Sequence, residues 1–142
     1  MTILYNTLKK YVKETLPLFQ GIQGKQNAQR IGKQAEISAK CYLEQQGLVL
    51  ISENYSCKLG EIDLIMDDAD QVVFIEVKYR KSASYGSSIE MVNPRKQKKI
   101  ILTARHYLHQ HHLTETISSR FDIIGIVPNQ PIQWLKNAFY SE

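Results

Sequence analysis

Cysteine is scarce in this 142-residue sequence: only Cys41 and Cys57 occur, one inside a helical pattern and one in a polar stretch. Two thiols without paired spacing exclude a disulfide framework and a cysteine-built zinc site, and they read as reduced cysteines of a cytoplasmic protein. Long apolar runs are missing too, since no stretch approaches the roughly 18 to 20 apolar residues of a membrane span. Lys9, Lys10, Lys13, Glu14 and Pro17 interrupt residues 1–19, which leaves no continuous apolar core for a secretory signal. No membrane partner is therefore expected. Internal repeats and low-complexity tracts are also absent, which argues against a solenoid or a disordered tail.

What is present is a globular balance, with 43% apolar and 23% charged residues and a length that suits one domain. The net charge of +4 is compatible with a polyanionic partner but does not by itself select one.

Leu4, Leu8, Tyr11 and Val12 recur at helical spacing, which predicts a short amphipathic helix before Pro17. The polar, glycine-containing Gln20–Gln29 stretch reads as a linker. We therefore divide the chain into an extension over 1–27 and a compact domain over 28–142. Ala35, Ala39, Tyr42 and Leu43 predict a core helix from Ile31 to Gln46, stopped by Gly47. Three extended segments follow: Leu48–Ser52, then Glu61–Met66 after a polar turn over 54–60, then Val72–Arg80. The acidic turn at 67–70 makes the last two a hairpin. After a loop of small residues carrying Tyr85, Gly86 and Ser87 at its tip, Asn93 and Pro94 predict the start of a helix running to about residue 111. A strand over 120–127 and an edge strand over 132–135 complete an α/β order.

Two strands carry acids that an apolar strand would not ordinarily hold. Glu76 and Lys78 alternate with Ile75 and Val77, so both charges emerge on one face of a segment that otherwise reads as interior. On the partner strand Ile62, Leu64 and Met66 should share one face and Glu61 and Asp63 the other. An antiparallel hairpin brings Asp63 and Glu76 close across the pair, where two carboxylates repel unless a proton or a metal lies between them. Hard oxygen donors suit Mg²⁺ or Mn²⁺, which lower the pKa of a bound water and neutralise charge on a phosphodiester. Lys78 would then orient the attacking water or stabilise the transition state. The competing reading of Asp63, Glu76 and Lys78 is a structural ion-pair cluster. Glu36 shares its helical spacing with Ala39 and Leu43, so it is either a further inward-facing ligand or an exposed helix glutamate.

Asp63 followed, after twelve intervening residues, by Glu76-Val77-Lys78 resembles the PD-(D/E)XK motif of metal-dependent nucleases, with Ile62 where the motif has proline. A closer resemblance is to the YraN-like family, an uncharacterised bacterial branch of that superfamily related to archaeal Holliday-junction resolvases. It rests on Gly32, Glu36, Ala39 and Tyr42-Leu43, then Asn54-Tyr55, Gly60-Glu61-Ile62-Asp63-Leu64-Ile65, Phe74-Ile75-Glu76-Val77-Lys78-Tyr79-Arg80, Lys96-Gln97 and Arg120-Phe121-Asp122. These elements occur in order over residues 28–139, and Ala35 stands where the family often has glycine. The resemblance implies a restriction-endonuclease-like fold, a central mixed β-sheet flanked by α-helices. It also implies a Mg²⁺ or Mn²⁺ site at Asp63 and Glu76, helped by Lys78 and Glu36, acting on DNA that is structured or branched. The alternative is a non-catalytic nucleic-acid-binding protein that retains the nuclease fold. A homodimer follows only by analogy with the junction-cutting relatives.

The helix from Pro94 carries Arg95, Lys96, Lys98 and Lys99, which read either as a solvated face or as phosphate contacts. Lys96 and Gln97 match the family pattern, which implies contact with the scissile phosphate or its neighbour. His106, His109, His111 and His112 gather near the helix end, where a solvated terminus is the simpler reading than zinc. Arg120 and Asp122 alternate with Phe121 and Ile123 and read either as partners of each other or as support for the acid site, with a structural role the default.

Overall fold

The computed structural model describes residues 25–82 and 92–141. The helix expected in residues 1–19 and the loop tip at Tyr85, Gly86 and Ser87 lie outside the described residues. The chain divides into two compact units, Met1–Gly32 and Lys33–Glu142. In the first, the described residues 25–32 are all helical; the second holds the sheet.

Helix α1 spans Lys25–Gln45 and starts ahead of the Ile31 that periodicity suggested, so residues 25–29 are its first turns rather than a linker. Lys25, Gln26, Ala28 and Gln29 are good helix formers that need no packing to favour this state. Gly47, at φ +97, ends it in a left-handed conformation that glycine adopts without a Cβ clash. Five strands follow: β1 (Val49–Cys57), β2 (Gly60–Asp68), β3 (Gln71–Tyr79), β4 (Ser118–Ile126) and β5 (Gln133–Phe139), with helix α2 (Pro94–Gln110) between β3 and β4. Strand β1 is longer than the sequence suggested. Asn54–Cys57, expected as a turn, pairs with β2 through Tyr55, Ser56 and Cys57, and the reversal is confined to Lys58 and Leu59.

The strands lie in the order β1-β2-β3-β4-β5. β3 and β4 are parallel and the other neighbours antiparallel, so the sheet is mixed and the fold is the α/β, restriction-endonuclease-like architecture. A parallel pair needs a long crossover, and the β3–β4 connection supplies it with α2. The β2–β3 hairpin turns on Ala69 and Asp70, both at positive φ (49° and 70°), the backbone of the tight two-residue hairpin turn. The Asp70 N–H donates to Asp67 Oδ1 and holds that turn.

Each sheet face buries its own cluster. On one side Ala39 and Leu43 of α1 meet Leu64, Met66, Val73, Ile75 and Ile124. On the other, Ile100, Ala104, Tyr107 and Leu108 of α2 meet Ile65, Val72, Phe74, Phe121 and Ile123. This two-faced coverage explains why β3 and β4 read as near-continuous apolar runs. Ile62 departs from expectation: Leu64 and Met66 pack under α1, whereas Ile62 joins Ile65 under α2. Alternation therefore breaks at Asp63. Across on β1, Asn54 lies between the pairs Glu53↔Leu64 and Tyr55↔Ile62 and has left-handed backbone at φ 50°. Asparagine tolerates that conformation better than most residues with a Cβ.

Candidate metal centre

The regular β2–β3 ladder runs from Asp68↔Gln71 to Leu64↔Ile75 and stops there, one step short of Asp63 and Glu76. Where the next backbone bond would form, the Val77 N–H donates instead to Asp63 Oδ2 at 2.7 Å. The hairpin thus opens at the end of its paired region, and the Asp63 carboxylate fills the gap. Its side chain also shares a hydrogen bond with Glu76. Glu76 itself is only 5% exposed, at the edge of the apolar run Val72–Ile75. The two acids that the sequence set on neighbouring strands are in this way side by side.

Two buried carboxylates in contact cannot both ionise without cost. Burial first, and then the charge of Glu76, push the Asp63 carboxyl up to about 8, against the opposing pull of the Val77 N–H bond; Glu36 adds a further negative field. Ionisation of Asp63 beside Glu76 is therefore disfavoured. Glu36 is half-buried on α1, near enough to be felt by Asp63, and its carboxylate lies 3.8 Å from Lys33 Nζ.

Lysines surround the pair. Lys78 is half-buried on β3, and burial first, then the charges of Lys96 and Arg80, draw its ammonium below the ordinary lysine value, with Glu76 opposing. Lys96, in the first turn of α2, forms an ion pair with Glu76. Burial works against its charge, but the hydrogen bond to Glu76 and the fields of Glu76, Asp63 and Glu61 outweigh it and raise its pKa. The start of α2 is fixed by its cap: Asn93 Oδ1 accepts from the Lys96 N–H at 2.9 Å, and Pro94 opens the helix. Such a cap contributes about 1 kcal/mol. Gly60 brings β2 against the same helix, since a Cβ there would stand 2.9 Å from Thr103 Oγ1 and its φ is +155. The start of the strand that carries Asp63 is thereby held against α2 at Lys99 and Thr103.

The remaining candidates separate from this centre. Gln97 turns back to cap its own loop, its Nε2 donating to the Val92 carbonyl at 2.8 Å. Arg95, Lys98 and Lys99 are exposed on α2. Among the histidines, His106 Nδ1 is 2.7 Å from the Tyr55 hydroxyl and His111 stacks on Tyr107. No group of three or more His, Cys, Asp and Glu side chains is gathered around one point among the described residues. The donor set is instead the pair Asp63 and Glu76. Its chemistry fits Mg²⁺ or Mn²⁺, which take one or two protein carboxylates and keep several waters.

Sequence reasoning missed the contact between Lys96 and Glu76, because residues twenty apart in sequence meet only through the crossover of α2. It also missed Asn54, whose left-handed backbone lies opposite the point where Asp63 leaves the ladder. The basic first turn carried a signal. Arg95 and Lys96 lie at the positive end of the helix dipole, an unfavourable place for cations unless anions face them.

The model of the family described as "Uncharacterised protein family UPF0102" matches residues 35–126. A UPF0102 protein of Coxiella burnetii is 48% identical over 114 residues, covering 80% of this chain and 95% of the relative. Those of Nitrosococcus oceani and Pseudomonas putida are 44% and 43% identical, each over 78% of this chain and 92% of the relative.

Proposed function

The chain belongs to the uncharacterised protein family UPF0102, the YraN-like branch of the PD-(D/E)XK nuclease-like superfamily, and we propose that it is a divalent-cation-dependent endonuclease hydrolysing phosphodiester bonds in DNA. Structured or branched DNA is the substrate class we favour. The observation that carries this reading is the pair Asp63 and Glu76, set against each other where the hairpin opens and buried there. A structural ion-pair cluster gains nothing from two acids in contact; a cation site needs them.

Asp63 and Glu76 would hold Mg²⁺ or Mn²⁺, which supplies an activated water and neutralises charge on the phosphodiester. The chain's own groups do the rest. The Val77 N–H fixes the Asp63 carboxylate through Oδ2, beside Glu76. Lys78, its ammonium held below the ordinary lysine value by burial and by its cationic neighbours, would stabilise charge on the phosphate or orient the attacking water. Arg95, Lys98 and Lys99 offer cations to the flanking backbone from the exposed face of α2. Glu36 supports the pair from the first helix.

The test is a cleavage screen of linear, single-stranded, flap and four-way DNA with Mg²⁺ or Mn²⁺, run beside Glu76→Ala. Product from the wild-type chain alone is expected. Product that persists in Glu76→Ala would refute the assignment, and DNA binding without cation uptake or product would identify a non-catalytic binding protein instead.

A further inference from the structure

We propose that Lys96 is a built-in occupant of the cation site, an ammonium that a divalent ion must displace from Glu76 before Asp63 and Glu76 can share that ion. This inference rests on the metal-site reading given above and adds a residue to it.

Three observations converge on Lys96. It reaches Glu76 from a different element: the acid is on β3 and the lysine in the first turn of α2, joined by an ion pair. The pair is asymmetric, since the Glu76 side chain is 6% exposed and that of Lys96 is 49% exposed, so the acid is fixed and the ammonium is free to leave toward solvent. Finally, Lys96 faces not one acid but Glu76, Asp63 and Glu61. Those charges attract whatever cation is nearest, and the lysine is the monovalent one the chain supplies.

Substitution of one cation for another explains why the site is tolerable without a divalent ion. Burying Glu76 beside Asp63 with no positive charge would be costly, and the ion pair with Lys96 offsets that cost. A divalent ion seated between the carboxylates repels the ammonium at close range. The lysine is then released at the mouth of the site, on the same helix turn as the exposed Arg95. A phosphate there attracts it away from Glu76, so cation and polyanion assist each other's binding, as reciprocal linkage requires.

The experiment is titration of the full chain with Mn²⁺ alone, read by the loss of the free-ion electron paramagnetic resonance signal and by calorimetry, without nucleic acid. The wild type is compared with Lys96→Met, Lys96→Arg and the charge control Lys98→Met, whose lysine is exposed on the same helix. Lys96→Met should bind Mn²⁺ roughly tenfold more tightly than wild type, within the usual range of site couplings. Lys96→Arg should stay near wild type. Lys98→Met should change the affinity by no more than about twofold, as a distant, solvent-screened charge does. Equal affinities for Lys96→Met and Lys98→Met, or weaker binding by Lys96→Met, overturn the displacement while leaving a cation site in place. No uptake by wild type or by Lys96→Met overturns the site and the inference together. Uptake by Lys96→Met alone is the strongest form of the expected result. Circular dichroism of each variant confirms that the exposed substitutions keep the fold.

Discussion

Asp122 and Asp63 are both acids on interior strands of one sheet, and they are treated in opposite ways. Asp122 is 0% exposed, and every direction around its carboxylate meets a donor of the protein itself. Arg120 Nε lies 3.1 Å from both oxygens, Trp134 Nε1 donates to Oδ2 at 2.9 Å, and the Asn137 N–H donates to Oδ1 at 3.1 Å. Arg120 in turn reaches Gln71 Oε1 and Asp68 Oδ2, so the guanidinium is also spent. Burial opposes the charge of Arg120, yet Asp122 and Asp68 hold its pKa above the ordinary arginine value. Asp63 has one backbone N–H and a second acid. A carboxylate surrounded by a guanidinium and N–H donors ties strands together, whereas one set against a second acid is the arrangement on which the proposed cation site rests.

The sharpest way to break this contrast is to remove each acid and ask what is lost. Asp63→Ala or Glu76→Ala should reduce metal-dependent cleavage on the order of a thousandfold, with the melting temperature measured without metal changed far less than by loss of Asp122. A fall in stability comparable to that of a core substitution would make the pair structural after all. Asp122→Ala should do the reverse and destabilise the fold by about 3 to 5 kcal/mol in urea denaturation, since it leaves Arg120 Nε, Trp134 Nε1 and the Asn137 N–H without their buried acceptor. Little loss there would mean that the network is decoration.

A smaller effect distinguishes the two acids by pH. Asp63 is held at about 8 in the folded chain against an ordinary value of 3.8. Between those values the folded state binds more protons than the unfolded one, so stability without metal falls as pH rises. The proton's contribution is complete below the ordinary carboxylate value and lost once the pH passes about 8. Thermal denaturation in chelator across that window should show the decline, Asp63→Asn should flatten it, and Mn²⁺ should reverse it. A wild-type curve that is already flat in chelator counts against a protonated Asp63.

Much of the arrangement was legible in the sequence where a local rule governed it. The acidic turn fixed the β2–β3 hairpin, Asn93-Pro94 fixed the start of α2, and charges alternating with Ile75 and Val77 exposed the acid face of β3. Reading failed where a tertiary contact overrode the local pattern. Strict alternation would put Ile62 beside Leu64, but the break at Asp63 sends it to the other face, and nothing within that strand announces a break that lies opposite the left-handed Asn54 of β1. Asn54–Cys57 looked like a turn because its residues are polar, although an edge strand with one solvated face is free to be polar. Lys96 was legible as a cation but not as the partner of Glu76, which requires knowing where the crossover lays α2.

The faintest expected difference concerns DNA binding, and it asks whether α2 has one set of cations or two. Arg95, Lys98 and Lys99 are exposed, while Lys96 is engaged with Glu76. Each phosphate that a cation neutralises releases counterions and contributes about 0.9 to the slope of log affinity against log salt. Replacing Arg95, Lys98 and Lys99 with Gln should therefore flatten that slope by roughly this amount for every phosphate left without its cation, measured with a fixed duplex in chelator. Lys96→Gln alone should leave the slope nearly unchanged in chelator, because its ammonium already has a protein anion as partner, and should flatten it once Mn²⁺ is present. A Lys96→Gln slope that is equally reduced with and without Mn²⁺ would place all four cations on one phosphate-binding surface and erase the distinction between the helix face and the acid centre.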